Sequence, residues 1–299
     1  MSAFLPAIAP VALIILIGFI ANRFLPLETQ SLSQITVYIL TPALVADGLY
    51  RTTISAKSAT GLILGFILVS LAVYITSIIL AKLLQLPPPL ATSLLAASLF
   101  PNNGNLGLPL IKFAFGEQGL ERAIIYMIAS SVLTFGLGPA ILRGNGWRRG
   151  LKLTLKLPLF WAMLLGFGAY QLQLSFPFNL AEGVKLLGEG AIPLALVILG
   201  IQLSSITFKI KIKELLGVTI RLILAPIVAL AVGKLLNLET LDLQILVIQS
   251  AMPTAVNTII LVTEFGGDVP WAARAIVVST LVSFFTLPLW LHIVNYVNF

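Results

Sequence analysis

A chain of 299 residues that is 59% hydrophobic and 10% charged, with a mean hydropathy of +1.05, lies far from the roughly 45–50% apolar and 25% charged composition of soluble domains. The absence of cysteine excludes disulfides, thiol catalysis and thiolate metal sites, and a single histidine excludes a multi-histidine metal centre, so no cofactor is expected. A net charge of +7 on such a chain points to basic cytoplasmic loops and not to nucleic-acid binding.

The amino-terminal run MSAFLPAIAPVALIILIGFIANRF meets its first basic residue, Arg23, only after the apolar stretch, which is the wrong order for a cleaved signal peptide. It reads as a first membrane span over 4–22, entering from outside. Apolar blocks of the length needed to cross about 30 Å of hydrocarbon then recur, at 31–51, 59–85, 89–116, 120–142, 157–174, 183–206, 214–236, 240–266 and 270–296. Twelve lysines and arginines, Arg221 among them, follow the odd-numbered spans, against six on the other side. The positive-inside rule therefore places the first set in the cytoplasm and both termini outside, as expected for a protein of the cell (inner) membrane. The segment RGNGWRRGLKLTLK (143–156) reads as a cytoplasmic basic connector facing anionic lipid head groups.

The chain repeats itself. SLFPNNGN (98–105) aligns with SAMPTAVN (250–257) at an offset of 152, which also superposes Arg122 on Arg274, Ser131 on Ser283 and Thr134 on Thr286. LTPALV (40–45) resembles AIPLAL (191–196), and LIGFIA (16–21) resembles LLGFGA (164–169). Five spans per half is an odd number, so the halves (1–142 and 157–299, joined by 143–156) must lie upside down relative to each other. The predicted fold is thus all-α and integral to the membrane, with ten transmembrane helices in two inverted five-helix repeats, an arrangement associated with secondary transporters.

Within the fourth span, FPNNGNLGLPL interrupts an oily helix. Pro101 lacks an N–H and clashes with the carbonyl one turn back, while Gly104 and Gly107 allow the chain to leave helical geometry. A break at membrane depth is tolerable only where protein or a water-filled cavity satisfies the freed backbone. Asn102, Asn103 and Asn105 supply polar groups there, and Pro253, Thr254 and Asn257 repeat the pattern in the ninth span. The two breaks are expected to cross near mid-membrane, with these amides and Thr254 around one polar cavity. A helix restarting at such a break offers N–H groups carrying roughly +0.5 charge, a site for a carboxylate that needs no lysine or arginine.

Other polar residues carry alternative readings. Asp47 is an acid within the second span and so a coupling candidate, but Arg51 one turn away makes an i,i+4 pair at the outer mouth the plainer account. Glu189, near Pro193, is the other coupling candidate and is equally readable as solvated. Lys112 and Glu264 read as boundary residues and His292 as an interfacial anchor. Walker, HExxH and GxSxG patterns are absent, which argues against an enzyme. A channel competes with a carrier but does not call for paired broken helices in inverted halves.

FPNNGNLGLPLIKFAFGEQGLERA and QSAMPTAVNTIILVTEFGGDVPWAARAIVVSTLVSFFTLPL are similar to the fourth and ninth helices of the auxin efflux carrier family, and the resemblance runs over essentially the whole chain. It implies a fold like that of the bile-acid/sodium symporters, with helices one, two, six and seven as a scaffold and the others as a moving unit around crossed helices four and nine. It implies export of a small organic anion, auxin-like or a dicarboxylate, with Pro101, Asn102 and Pro253 at the crossover. A sodium-coupled organic-acid symporter is the alternative, and a channel follows it. A homodimer through the scaffold helices is compatible with this fold. Because few acids lie near the breaks, membrane potential is the expected driving force, in place of sodium or protons.

Overall fold

Proline decides where these helices stop and where they loosen. In the computed structural model, residues 5–25, 27–143, 152, 154–204 and 214–296 are described. They form α1 (Leu5–Phe24), α2 (Thr29–Tyr50), α3 (Ala56–Leu83), α4 (Pro88–Leu99), α5 (Asn103–Leu142), α6 (Pro158–Gln171), α7 (Pro177–Ser204), α8 (Glu214–Leu235), α9 (Thr240–Ser250), α10 (Thr258–Glu264) and α11 (Val269–Tyr296). Seven helices among the described residues are long and apolar enough to cross a membrane. Large side chains such as Leu13, Leu71, Leu165 and Phe285 face outward at half exposure or more, which suits a hydrocarbon solvent and no aqueous one. The protein is an integral membrane protein.

Each predicted span has a helical counterpart, with four refinements. The predicted fourth span divides into α4 and the start of α5, and the ninth into α9 and α10. α5 turns sharply at Gly116, whose φ of 66° and ψ of −158° lie in a region that only glycine adopts without strain. α7 is interrupted at Gly190, just before Pro193. Most of the basic connector falls outside the described residues, as do Lys209, Lys211 and Lys213.

Three helices contain four widened π turns between them: Thr36–Leu40 in α2, Asn103–Gly107 and Val132–Leu137 in α5, and Ile220–Leu224 in α8. Each ends two residues before a proline, namely Pro42, Pro109, Pro139 and Pro226. Proline has no N–H to close the turn and its ring collides with the carbonyl four residues earlier, and one extra residue in the preceding turn relieves that collision. Pro10 and Pro288 sit in α1 and α11 without such a turn, so the neighbouring packing also has a say.

Two helix pairs touch backbone to backbone. A Cβ on Gly18 would lie 2.2 Å from the Val197 carbonyl oxygen, and one on Gly200 would lie 2.0 Å from that of Ile15, so α1 and α7 approach as closely as glycine permits. In α6, a Cβ on Gly166 would lie 2.4 Å from the Ala46 carbonyl oxygen of α2. Gly18 and Gly166 are the aligned glycines of LIGFIA and LLGFGA. Gly200→Ala is expected to force these helices apart, at a cost of about 1–3 kcal/mol or more. A lowered melting temperature of the purified protein would show it, and a wild-type melting curve would contradict the contact.

Candidate functional site

α4 ends at Leu99 because Pro101 cannot continue it, and Phe100 is extended at φ −106° and ψ 90°. α9 ends at Ser250, and residues 251–257 lead to α10. The two interrupted stretches cross in antiparallel fashion with Pro101 opposite Thr254. The Asn102 N–H donates to the Pro253 carbonyl at 2.7 Å, and the Ala255 N–H donates to the Phe100 carbonyl at 2.8 Å. Each break therefore satisfies backbone groups that the other has freed, which makes a non-helical crossing tolerable at this depth. The crossing is further tied by the Thr254 N–H to Ser279 Oγ (3.2 Å) and by the Thr254 hydroxyl to the Ala97 carbonyl (2.8 Å).

A cavity of about 130 Å³ lies against the crossing. The restarting helix contributes Asn102, Asn103, Gly104 and Asn105, and the second break contributes Ala255, Val256, Asn257 and Thr258. Ser130, Ser131 and Thr134 of α5 face it, and Val37 and Thr41 of α2, with Leu157, Pro158 and Leu159 at the start of α6, close it. Three of the four π turns supply lining residues, in keeping with the tendency of such turns to mark functional sites. Among the described residues, the lining carries no formal charge.

The polar atoms here are under-used. The Asn102 Nδ2, both polar atoms of the Asn103 side chain and the Thr258 hydroxyl are buried without a hydrogen-bond partner. Asn102, Asn103 and Thr258 are 4%, 2% and 0% exposed. A buried unsatisfied donor or acceptor costs about 1–3 kcal/mol, so these amides and this hydroxyl retain hydrogen-bonding capacity that the protein itself does not use. α5 also begins at Asn103, so its first N–H groups have no helical acceptor and present partial positive charge to the cavity.

The structure redistributes several expected roles. Asn102, Asn103, Asn105 and Asn257 line one cavity, whereas Thr254 is not among the lining residues and donates its hydroxyl to the Ala97 carbonyl. Pro253 likewise serves the crossing through its carbonyl. Gly104 and Gly107 do not make the break: it falls at residues 100–102, and both glycines sit in the restarted helix at negative φ. Their smallness matters instead, since a Cβ on Gly107 would lie 2.4 Å from Gln249 Oε1 of α9. Asp47 accepts from Arg51 at 2.7 Å, and Arg51 also binds Glu182 of α7 at 2.7 Å, so the acid belongs to an ion-pair chain joining α2 to α7. Glu189 is exposed at the end of a helical segment in α7, and neither acid lines the cavity.

Arg221, counted above with the cytoplasmic loops, is a correction of another kind. It lies in the π turn of α8, is 3% exposed, and donates through Nη1 to the Ser98 carbonyl (2.8 Å) and through Nη2 to the Ser250 carbonyl. Without it the basic count is eleven to six, and the bias keeps its direction. The proline two residues after its π turn was the one available sign of an unusual turn, and nothing in the local sequence names its partners.

A larger cavity of about 860 Å³ opens between α3, the second part of α5 and α6. Its walls are apolar apart from Ser70 and Tyr74, so it suits lipid chains and not a charged solute.

Comparison with known proteins agrees with a transport role. A family model described as membrane transport protein matches residues 3–149 and 147–291. An uncharacterized transporter of Methanothermobacter thermautotrophicus is 27% identical, with 94% of this chain and 95% of that one covered. A second, from Methanocaldococcus jannaschii, is 27% identical with the same coverage, and the uncharacterized transporter YfdV of Escherichia coli K12 is 25% identical with 66% of each chain covered.

Proposed function

Because the chain belongs to the auxin efflux carrier family of membrane transport proteins, we propose that it carries a small organic anion across the membrane by way of the cavity at the crossing. The observation that carries this reading is that Asn102 and Asn103, whose buried side-chain amides lack a protein partner, are among the residues lining a cavity beside the start of α5. Donors of this kind, with a helix N-terminus, suit a carboxylate. The volume of about 130 Å³ is well under the roughly 300–1,000 Å³ of drug-sized pockets, which favours a compact mono- or dicarboxylate.

Counting α4 with the start of α5 as one crossing, α5 beyond Gly116 as the next, and α9 with α10 as another gives ten crossings in two inverted halves. The glycine contacts at Gly18 and Gly166 support that reading: they place equivalent close packings at α1 on α7 and at α6 on α2. These four helices are the scaffold, and the rest move against it with the crossing. With the connector cytoplasmic and both termini outside, the wall at Leu157, Pro158 and Leu159 adjoins the cytoplasmic side, so the cavity is placed to load from the cytoplasm for export. Lacking a titratable lining residue among the described residues, the carrier is driven by membrane potential.

Proteoliposomes offered radiolabelled acetate, malonate, succinate and indole-3-acetate, with and without a sodium gradient, test this. Saturable, sodium-independent uptake of at least one compact carboxylate is expected, unaltered in Asp47→Asn and Glu189→Gln. Non-saturable flux would favour a channel, and strict sodium dependence a symporter.

A further inference from the structure

Arg221 stands where two helices end. Ser98 and Ser250, whose carbonyls its guanidinium holds, lie in the last turns of α4 and α9. They are separated by 152 residues, the offset of the internal repeat, so one side chain grips the same carbonyl from each half. A helix C-terminus carries about −0.5 charge, and two converging ends together present close to one negative charge. Among the described residues no carboxylate lies within salt-bridge distance of Arg221. Its single positive charge is balanced by the helix ends themselves. The position aligned with Arg221 in the first half is Val69, which is 2% exposed, so the cation occurs once and serves both halves.

Carbonyl oxygens at converging helix ends are also what a soluble monovalent cation would seek in a membrane protein. We propose that Arg221 is a built-in cation occupying a two-carbonyl cation site at the crossing, so that the protein needs no bound sodium to hold its broken helices together. The planar fork suits the task because its two terminal nitrogens can serve two separate acceptors, which a lysine ammonium cannot do with the same geometry. The π turn at Ile220–Leu224 fixes the reach: the carbonyl of Leu222 within it accepts from Trp290 Nε1 of α11 at 2.8 Å, anchoring the turn. Removing the guanidinium leaves two carbonyl ends facing a vacated space that a free cation can enter.

The inference goes beyond the transport reading, and its test needs no substrate. Wild type, Arg221→Ala, Arg221→Met and Arg221→Lys are purified in detergent, and their melting temperatures are followed in guanidinium, sodium or choline chloride at constant ionic strength. Arg221→Ala is expected to melt below wild type and to regain about 3–5 °C, saturably, at guanidinium concentrations near 100 mM if the ion binds at about 10 mM. Sodium gives a smaller rise, choline none, and wild type does not respond to sodium. A wild type stabilised saturably by sodium, or an alanine variant that melts like wild type and ignores every cation, overturns the proposal. Should Arg221→Ala not fold, Arg221→Lys is expected to melt well above Arg221→Met, since lysine keeps the charge and methionine only the bulk. Equal melting of those two overturns it as well.

Discussion

Asn103→Ala is expected to weaken substrate binding by about ten- to a hundredfold while leaving the protein as stable as wild type or slightly more so. The side chain is 2% exposed and neither of its polar atoms has a partner, so truncation strands no protein group and removes an unsatisfied one. What is lost is a hydrogen bond to a charged ligand, worth about 1.5–3 kcal/mol, and each 1.4 kcal/mol is about a factor of ten in affinity. Saturation of uptake in proteoliposomes, set beside a melting curve, measures both sides. A variant that melts lower but transports normally would make Asn103 a structural residue and empty the site of its main donor. Thr254→Ala should behave in the opposite way, because its hydroxyl already serves Ala97: a stability loss of about 0.5–1.5 kcal/mol and a smaller change in affinity.

Arg122→Ala is expected to destabilise the fold by about 3–5 kcal/mol, the usual cost of stranding one partner of a buried ion pair. Asp242 on α9 is 1% exposed, receives Arg122 Nε at 2.6 Å, and also accepts from the Ser58 hydroxyl of α3. The cluster ties α3, α5 and α9 into one unit. Exchanging the pair together, as Arg122→Met with Asp242→Leu, should recover most of the loss, since the uncompensated carboxylate is then gone. A double variant as unstable as Arg122→Ala would mean that the arginine acts through packing and not charge. The repeat gives Arg274 a related task, bonding Glu214 of α8 at 2.6 Å, so the aligned arginines each fasten one helix to another.

How far this was legible follows from what each residue needs. Pro101 and Pro253 revealed the breaks because proline's missing N–H acts locally, in any tertiary setting, and the amides beside Pro101 followed from the need to satisfy freed backbone. The prolines at 42, 109, 139 and 226 could have revealed the π turns by the same logic. Arg221 could not be placed: α8 is apolar around most of its circumference, and a helix without a polar stripe gives no sign of which face turns inward. A lone arginine seven residues into such a span looks like a loop residue until its partners, Ser98 and Ser250, are brought beside it by other helices. Thr254 was misassigned for a similar reason, since its hydroxyl direction depends on the backbone of α4. Asp47 was the opposite case, because an i,i+4 partner is fixed by helix geometry alone and Arg51 is where that geometry puts it.

Potential-driven uptake of radiolabelled malonate into proteoliposomes, at fixed pH, without sodium and with a potassium diffusion potential of either sign, tests the central claim most directly. Moving one negative charge through about 100 mV is worth about 2.3 kcal/mol, enough to change accumulation more than tenfold. The account predicts saturable uptake that follows the sign of the potential and falls about ten- to a hundredfold in Asn103→Ala at subsaturating malonate. Uptake indifferent to the potential, or equal in wild type and Asn103→Ala, would contradict it.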